Sequence, residues 1–331
     1  MAGTGLKTVF GEKDMKRNID KNKKKNKGGA ANALAAGIPL IGFLIFGIIP
    51  LLLATVVSFS ELHSTDLSEM EFVGFKNYIT ILTNADEGRT YGSYLSTFIY
   101  ALNAPICIAL AIYIANLINK TKFGKRLFRS VFFIPYVCST IAIGLTFKML
   151  YNNDSGVLNQ ILQSIGLEPV GWLTATPFTF FVSAILMAVW KGLGYCIVLF
   201  QAALANVDES YYEAAKIDGA SSFQIFWKIT WPAISPTTAY LLTMKLIWAL
   251  QAMAETHILT NGDNVYVPAW PGSSGWVSDL VVKHIYNMVF VNGYKFGYGL
   301  AAAAGWILAI VVFIITRINM KSQKRWVCYD F

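Results

Sequence analysis

Six long apolar runs alternate with shorter polar segments, and this alternation is the main pattern of the chain. Each run is long enough to supply the roughly 20 residues that an α-helix needs to cross a bilayer. The pattern therefore predicts an all-α membrane protein with six transmembrane helices. The predicted helices are Ala31–Ser60, Tyr94–Ile118, Leu127–Leu150, Thr176–Ala203, Ser235–His257 and Phe296–Ile318.

The segment between the fourth and fifth runs is polar and carries helical signals of its own, YYEAAKIDGASSFQIFWKITWP (Tyr211–Pro232). Asp208 or Ser210 can cap a first helix through Tyr211–Asp218, because a short polar side chain accepts a hydrogen bond from a free backbone N–H. Gly219 can adopt the left-handed conformation that ends such a helix. These signals predict the first half of a helical hairpin.

A second short helix is predicted over Ser221–Lys228, directly after that glycine. Pro232 is expected to break the chain before the fifth run, because proline lacks a backbone N–H and clashes with the preceding turn. The whole segment can be a tight interfacial re-entry. A plain connector needs only a few polar residues, however, so two helices in this place favour a role beyond connection.

Basic residues fall on alternate loops and so predict the orientation of the helices. They are dense before the first run, between the second and third runs, and after the sixth run, and they are sparse in the other loops. The positive-inside rule then places both termini and the hairpin in the cytoplasm. The predicted organisation is a basic cytoplasmic tail (1–30), a first transmembrane helix with an external loop (31–93), a core transmembrane domain (94–318) containing the hairpin (208–232), and a cytoplasmic C-terminal tail (319–331).

The composition agrees with a membrane protein and argues against other classes. Of the 331 residues, 55% are hydrophobic and only 14% are charged, so lipid is the expected solvent for much of the chain. The net charge of +8 lies mainly in the N-terminal tail and at the ends of apolar runs, which favours contact with anionic lipid over nucleic-acid binding. The four cysteines and three histidines form no disulfide ladder or metal motif in the sequence, so no metal site is expected.

The hairpin resembles the Glu-Ala-Ala loop of ATP-binding-cassette (ABC) import permeases. Glu213, Ala214 and Ala215, then Gly219, and then Ile229 with Pro232 stand at the spacing of that loop, although Trp231 replaces the usual leucine before the proline. Three further segments are similar to members of the maltose and glycerol-phosphate type. These segments are FVGFKNYITIL (Phe72–Leu82), RSVFFIPYVCSTIAIGLTFKMLYNNDSGVLNQIL (Arg129–Leu162) and HIYNMVFVNGYKFGYGLAAAAGWIL (His284–Leu308).

The resemblance implies that the hairpin is a coupling helix that docks on a separate ATPase subunit. Glu213 would pair with a basic residue of the ATPase, Ala214 and Ala215 would allow close approach, and Gly219 would provide the bend. Asp218, Ile229 and Pro232 would belong to the same coupling segment. The chain itself contains no Gly-rich Walker loop, so ATP would be bound by the partner and this chain would have no cofactor and no enzymatic activity.

The resemblance also implies the remaining partners. They are a second permease subunit, two ATPase copies and an extracytoplasmic solute-binding protein, all at a bacterial cytoplasmic membrane. A heterodimer of permeases follows from the carbohydrate type, and a homodimer remains open.

In the maltose-type members, ligand contacts come from the spans on either side of the hairpin. The matching residues here are Trp190, Lys191, Gly192 and Tyr195 before it, and Lys245, Trp248 and Ala249 after it. Their aromatic rings suit stacking against the apolar C–H faces of sugars. The same rings can instead simply pack between helices.

Two lysines near mid-membrane depth are the most individual feature of this set. A lysine at that depth costs about 3 kcal/mol on insertion scales, so such a charge is expected to serve a function. Lys191 and Lys245 are predicted to face the translocation path and to neutralise an acidic ligand, for instance a uronate-containing oligosaccharide. Pairing with acids of the partner permease, a position in a wet cavity, and snorkelling stay open. Glu255 is expected on the same helix as Lys245 but about 15 Å away, too far to pair with it.

The predicted function is therefore a permease subunit for ATP-driven oligosaccharide import. The same machine for a glycerol phosphodiester, a peptide or an amino acid is an alternative. A polytopic membrane enzyme is a remote alternative, because the acidic cluster that best supports it, around Asp208, Glu209, Glu213 and Asp218, lacks a metal or phosphate motif.

Overall fold

The computed structural model describes residues 35–83, 89–121, 123–260, 277–291 and 293–328, with only the backbone for 293–296. The predicted basic tail, 1–30, lies outside the described residues. The chain divides into two compact units, residues 1–56 and residues 57–331.

The first unit supplies most of one long apolar helix, α1 (Ala35–Ser58), which contains a π-helical turn at Leu44–Ile48. Large side chains such as Ile38, Phe46 and Leu52 are exposed along it. A helix that is apolar on all sides requires lipid or other protein around it, so α1 has the surface expected of a transmembrane helix.

The second unit is almost entirely helical, apart from a two-stranded ladder between β1 (Ser60–Glu61) and β2 (Glu71–Phe72). Its first helices are α2 (Lys76–Leu82), α3 (Arg89–Ala101), α4 (Asn103–Lys120), α5 (Lys125–Val137), α6 (Thr140–Leu150), α7 (Val157–Ser164) and α8 (Pro177–Ala205). They are followed by α9 (Glu209–Ile217), α10 (Ser222–Ile225), a π-helical turn (Phe226–Thr230), α11 (Trp231–Leu250), α12 (Ala254–Leu259), α13 (Val281–Phe290) and α14 (Gly293–Gln323).

Four helices of the described chain are long and apolar enough to cross a membrane. Three of them are α1, α8, and the part of α14 from Gly297 onward. The fourth is Arg89–Lys120, which α3 and α4 form together. The pair of α5 and α6 passes the same test only if it is counted as one span, which gives five. The count of six and the cytoplasmic location of both termini stay predictions.

The third predicted span is wrong as a single straight helix. Its two halves, α5 and α6, are bent by 95° at a break. Cys138 and Ser139 take extended backbone conformations there, and Pro135 removes one helical hydrogen bond a turn earlier. The apolar composition of Leu127–Leu150 gives no sign of this bend, because hydropathy does not depend on backbone direction.

The fifth predicted span, Ser235–His257, is also interrupted. The helix α11 ends at Leu250, and α12 begins at Ala254 after a non-helical connection. Glu255 therefore does not share a helix with Lys245, and the distance expected from a continuous helix does not apply.

The expected break at Pro232 is wrong as well. Ser222–Leu250 is one continuous helical run, in which the Trp231 backbone N–H bonds to the Phe226 carbonyl across the π turn. Pro232 occupies one of the first two positions of α11, directly after that turn, where its missing N–H costs little. The second half of the hairpin is thus an extension that leads directly into α11 rather than a separate helix.

Close packing between α4 and α8 organises the interior of the second unit. Ala104, Cys107, Ala111 and Ala115 lie three or four residues apart on α4, and all are fully buried. In lipid, helices associate through close van der Waals contact, and small residues at this spacing allow the backbones to approach. The helix α5 packs against α8 through Gly194 in the same way.

The segment FVGFKNYITIL forms β2 and α2 and packs against the start of α14. The Asn77 side-chain amide donates to the backbone carbonyls of Ser58 and Ser60, at 3.0 and 2.9 Å. The Tyr298 N–H donates to the Leu62 carbonyl at 2.7 Å, next to the kink at Gly297, whose φ is 74°. The last of these bonds pairs the Tyr298 N–H at the kink, and the Asn77 bonds pair the carbonyls of Ser58 and Ser60.

Replacing Gly194 with alanine should destabilise the protein. The added Cβ would lie 2.7 Å from the backbone carbonyl carbon of Phe132, so a backbone must shift, at a cost of about 1–3 kcal/mol. Thermal denaturation in detergent measures the change. Gly305→Ala is the matched control, because no atom lies within 4 Å of its new Cβ. Equal denaturation midpoints for both variants would contradict this account of the α5–α8 contact.

Candidate functional site

A cavity of about 250 Å³ lies between α4, α5, α8, α11 and α12. Six of the seven predicted ligand residues line it, namely Lys191, Gly192, Tyr195, Lys245, Trp248 and Ala249. Trp190 lies apart from the cavity, with its ring 5.4 Å from that of Phe147. The sequence analysis missed the other lining residues, which are Tyr100, Asn103, Tyr136, Ala188, Ala252 and Glu255.

Lys245 enters the cavity from α11 and is 9% exposed. Its Nζ lies against Gly192 so closely that a Cβ at this position would collide with it, and the same Cβ would be 3.4 Å from Cys107 Sγ. The glycine therefore makes room for the ammonium group at the contact between α8 and α11. Among the described residues, no carboxylate forms an ion pair with Lys245.

Lys191 lies on α8, beside Gly192, and its environment differs from that of Lys245. Its Nζ donates a hydrogen bond to Thr140 Oγ1 and lies 3.9 Å from Glu255 Oε1. The side chains of Lys191 and Glu255 are 19% and 22% exposed. Sequence analysis rejected Glu255 as a partner of Lys245 and did not consider it for Lys191, with which the structure pairs it. The break after Leu250 makes this possible, because it releases Glu255 from the direction of α11.

Both partners of Lys191 directly follow helix breaks. Thr140 is the first residue of α6, and Glu255 lies in the first turn of α12. The two short helices also contact each other, since a Cβ at Gly144 would lie 2.6 Å from Ile258 Cγ2. Irregular backbone within a membrane is tolerated where it is enclosed by protein or lines a water-filled cavity, and transporter binding sites are commonly built from such broken helices. Pro135 and the polar Gln251 are the sequence signals that point to these breaks.

Aromatic rings form one wall of the cavity. Tyr195 stacks on Tyr136 with ring centroids 5.0 Å apart, and its centroid is 5.9 Å from that of Trp248. The Tyr195 hydroxyl is 3.4 Å from the Tyr240 hydroxyl. Tyr136 and Trp248 are 37% and 46% exposed, so they present ring faces that other molecules can contact. The cavity thus combines ring surfaces with two ammonium groups and one carboxylate.

The predicted hairpin has the expected local structure in its first half. Asp208 caps α9, since its carboxylate accepts a hydrogen bond from the Ser210 N–H at 2.9 Å, and this bond lowers the pKa of Asp208 by favouring the ionised form. Gly219 follows α9 with φ 76°. Glu213, Ala214 and Asp218 are exposed on this helix. The predicted coupling residues therefore form an accessible polar surface, with Ala215, Ile229 and Pro232 partly buried behind it.

A second cavity, of about 470 Å³, separates the hairpin from the end of α4. Asn116, Asn119 and Lys120 line it on the α4 side, and Glu209 and Glu213 line it on the α9 side. The predicted coupling carboxylate therefore faces open space rather than a packed partner within the described chain.

The last described residues pack against α11 next to the hairpin, a contact that the sequence analysis did not predict. Trp326 stacks on Trp231 with centroids 5.9 Å apart, and the Cys328 N–H donates to Ser235 Oγ at 2.9 Å. The side-chain amide of Gln323, on α14, also donates a hydrogen bond to the Ala239 carbonyl of α11. Aromatic residues near a chain terminus are the signal that could have indicated such a contact.

Cys107 and Cys196 lie opposite each other between α4 and α8, with their sulfur atoms 3.9 Å apart. Within the described ranges, no group of three or more histidine, cysteine, aspartate or glutamate residues is placed to hold a metal ion.

Comparison with known proteins shows matches that cover most of the chain. The arabinooligosaccharide transport system permease of Bacillus subtilis is 30% identical over 285 residues, which is 85% of this chain and 85% of the relative. The lactose transport system permease of Rhizobium radiobacter is 31% identical over 295 residues, 88% of this chain and 93% of the relative. These relatives are transport permeases rather than enzymes, which agrees with the prediction of a non-enzymatic transport subunit.

Among solved structures, the chain is similar to one in a bacterial ABC transporter involved in the import of the acidic polysaccharide alginate. The TM-score is 0.74 at 25% identity, and the match covers 93% of this chain and 99% of the other. Residues 107–325 match the family described as the inner membrane component of binding-protein-dependent transport systems. The chain belongs to this family of ABC transporter permeases, which confirms the resemblance found in the sequence.

Proposed function

We propose that this chain is a permease subunit of an ABC importer for oligosaccharides that carry carboxylates. The observation that carries the proposal is the cavity in which Lys245, without a carboxylate partner among the described residues, lies beside the ring faces of Tyr195 and Trp248. A desolvated ammonium group favours an anionic ligand, because burying a charge without compensation is costly. The aromatic faces supply apolar contact for sugar rings.

The comparisons support the carbohydrate part of the proposal. The named relatives transport arabinooligosaccharides and lactose, and the solved structure belongs to an importer of an acidic polysaccharide. Neutral oligosaccharides are the second candidate, and the observation in their favour is that Glu255 already compensates Lys191. A glycerol phosphodiester would also place an anion near Lys245 and belongs in the same test.

We further propose that the hairpin couples this chain to a separate ATPase. The exposed Glu213 and the bend at Gly219 support this role, since together they present a helical turn that a partner cleft can receive. The complete importer would contain a second permease, two ATPase copies and an extracytoplasmic binding protein, in a bacterial cytoplasmic membrane. Closure of the ATPase dimer on nucleotide would then move the hairpin and switch the access of the cavity.

Lys245→Gln should weaken the response to acidic ligands. Loss of one hydrogen bond to a charged group is worth about 1.5–3 kcal/mol, so the ligand concentration for half-maximal ATPase stimulation should rise by roughly 10-fold or more. The complex is purified through this chain, and its ATP hydrolysis is measured with neutral oligosaccharides, uronate oligosaccharides and a glycerol phosphodiester.

Lys148→Gln is the control for that experiment, because Lys148 also lies on a helix of the core but does not line the cavity. Stimulation of the unmodified complex by neutral sugars alone would overturn the acidic part of the proposal. An unchanged uronate response in Lys245→Gln would remove Lys245 from the ligand site.

Glu213→Ala and Gly219→Val should each uncouple the complex. The first removes the exposed carboxylate, and the second places a β-branched residue at φ 76°, which is strained for any residue except glycine. Ligand-stimulated ATP hydrolysis should fall by about 10-fold, while basal hydrolysis by the ATPase subunits persists, as removal of a docking contact separates stimulation from catalysis.

Glu168→Ala, which removes an exposed carboxylate outside the hairpin, should leave coupling unchanged. Full coupling in both hairpin variants would contradict the proposed role.

A further inference from the structure

The charges of the cavity do not cancel. Its charged lining residues in the described chain are Lys191, Lys245 and Glu255, which together carry a net charge of +1. The ion pair between Lys191 and Glu255 uses one ammonium group, and the other ammonium group stays without a carboxylate. The two lysines are therefore not equivalent, although the sequence gives no reason to distinguish them.

We propose that Glu255 is a specificity-determining residue that sets how many ligand carboxylates the cavity accepts. With Glu255 in place, one carboxylate on the bound part of the ligand brings the charge of the cavity to zero. This inference rests on the proposed function, because it assigns a further role within the same acidic-sugar site.

The geometry around Lys191 supports the role of Glu255 as a resident counter-ion. The Lys191 ammonium group donates a hydrogen bond to Thr140 and forms an ion pair with Glu255. About four-fifths of each side chain of this ion pair is shielded from solvent. In such an environment an uncompensated charge is costly, so a ligand group next to Lys191 competes with Glu255 for the same ammonium group. A second ligand carboxylate would have to displace Glu255 and leave it without a partner.

The net charge also explains why Lys245 is the position that meets the ligand. Its Nζ lies on Gly192, where no side chain separates it from the cavity, and it has no described carboxylate beside it. An anionic group at this position gains a partner without displacing anything. Lys245 thus binds the ligand directly, whereas Glu255 acts through Lys191 as a selectivity residue.

The test compares trisaccharides with no uronate, with one uronate and with three uronates, as stimulators of ATP hydrolysis by the purified complex. Each variant is compared with the unmodified chain across the same panel, so the selectivity of the shared binding protein cancels in the ratio. In Glu255→Gln the cavity charge becomes +2, and the response to three uronates relative to one should rise at least threefold. In Lys191→Gln the charge becomes zero, and the response to either uronate ligand relative to the neutral one should fall at least threefold.

The double variant, Lys191→Gln with Glu255→Gln, restores the net charge of +1 and should return the ratios to within twofold of the unmodified chain. A return to the unmodified ratios would show that net charge controls them. If side-chain shape controlled them, the double variant, with two altered side chains, should depart further from the unmodified chain than either single variant. Glu255→Asp keeps the carboxylate and should keep the unmodified preference. If Glu255→Gln fails to assemble, judged by the ATPase that copurifies with it, the comparison of Lys191→Gln with the double variant gives the same answer.

The outcomes distinguish the inference from the function on which it rests. If uronates stimulate the unmodified complex but Glu255→Gln leaves the ratios unchanged, or changes neutral and acidic responses equally, the role of Glu255 is overturned and the acidic-sugar function stands. If no uronate stimulates the unmodified complex, both fall together.

Discussion

The cost of unpaired polar groups in a hydrocarbon environment is the constraint on which this structure depends. A backbone N–H or carbonyl without a partner in lipid costs several kcal/mol, so a transmembrane helix can end or bend only where protein or water covers the break. The bend at Cys138–Ser139 and the interruption after Leu250 both lie beside the same cavity. Lys191 reaches the first helical turn after each break, through Thr140 and Glu255. The cavity, its charges and the broken helices are therefore one arrangement.

Close packing by small residues makes this arrangement possible. Lys245 lies at a helix contact because Gly192 has no side chain to exclude it, and Cys107 of α4 borders the same point. A bulkier residue at either position would push the ammonium group out of the contact. The packing that holds α4 and α8 together thus also determines where the cavity places its charge.

Much of the fold follows from the sequence, because hydropathy indicates which segments can lie in lipid and the distribution of basic residues indicates how the loops are oriented. The apolar runs were predictable by these means, and the hairpin cap at Asp208 and the turn at Gly219 were predictable from local helix-capping signals. The six cavity residues came instead from the resemblance to maltose-type permeases. The direction of the bend at Ser139 and the pairing of Lys191 with Glu255 were not predictable, because they depend on backbone direction and on contacts between residues 64 positions apart in the chain. Pro232 was misjudged for a related reason. A proline breaks a helix interior, but at the start of a helix after a π turn it is accommodated.

The continuity of the helix through Pro232 has a mechanical consequence. Ser222–Leu250 is one helical run, so at 1.5 Å per residue the hairpin end lies about 35 Å along the axis from Lys245. A helix transmits displacement along its length, whereas a broken connection at Pro232 would absorb it. The stacking of Trp326 on Trp231 and the bond from Cys328 to Ser235 hold the last described residues against the same helix. A partner that moves the hairpin would therefore move the cavity wall that carries Lys245 and Trp248, while Lys191 stays on α8. The distance between Lys245 and the ion pair of Lys191 with Glu255 is then the quantity that such a movement changes.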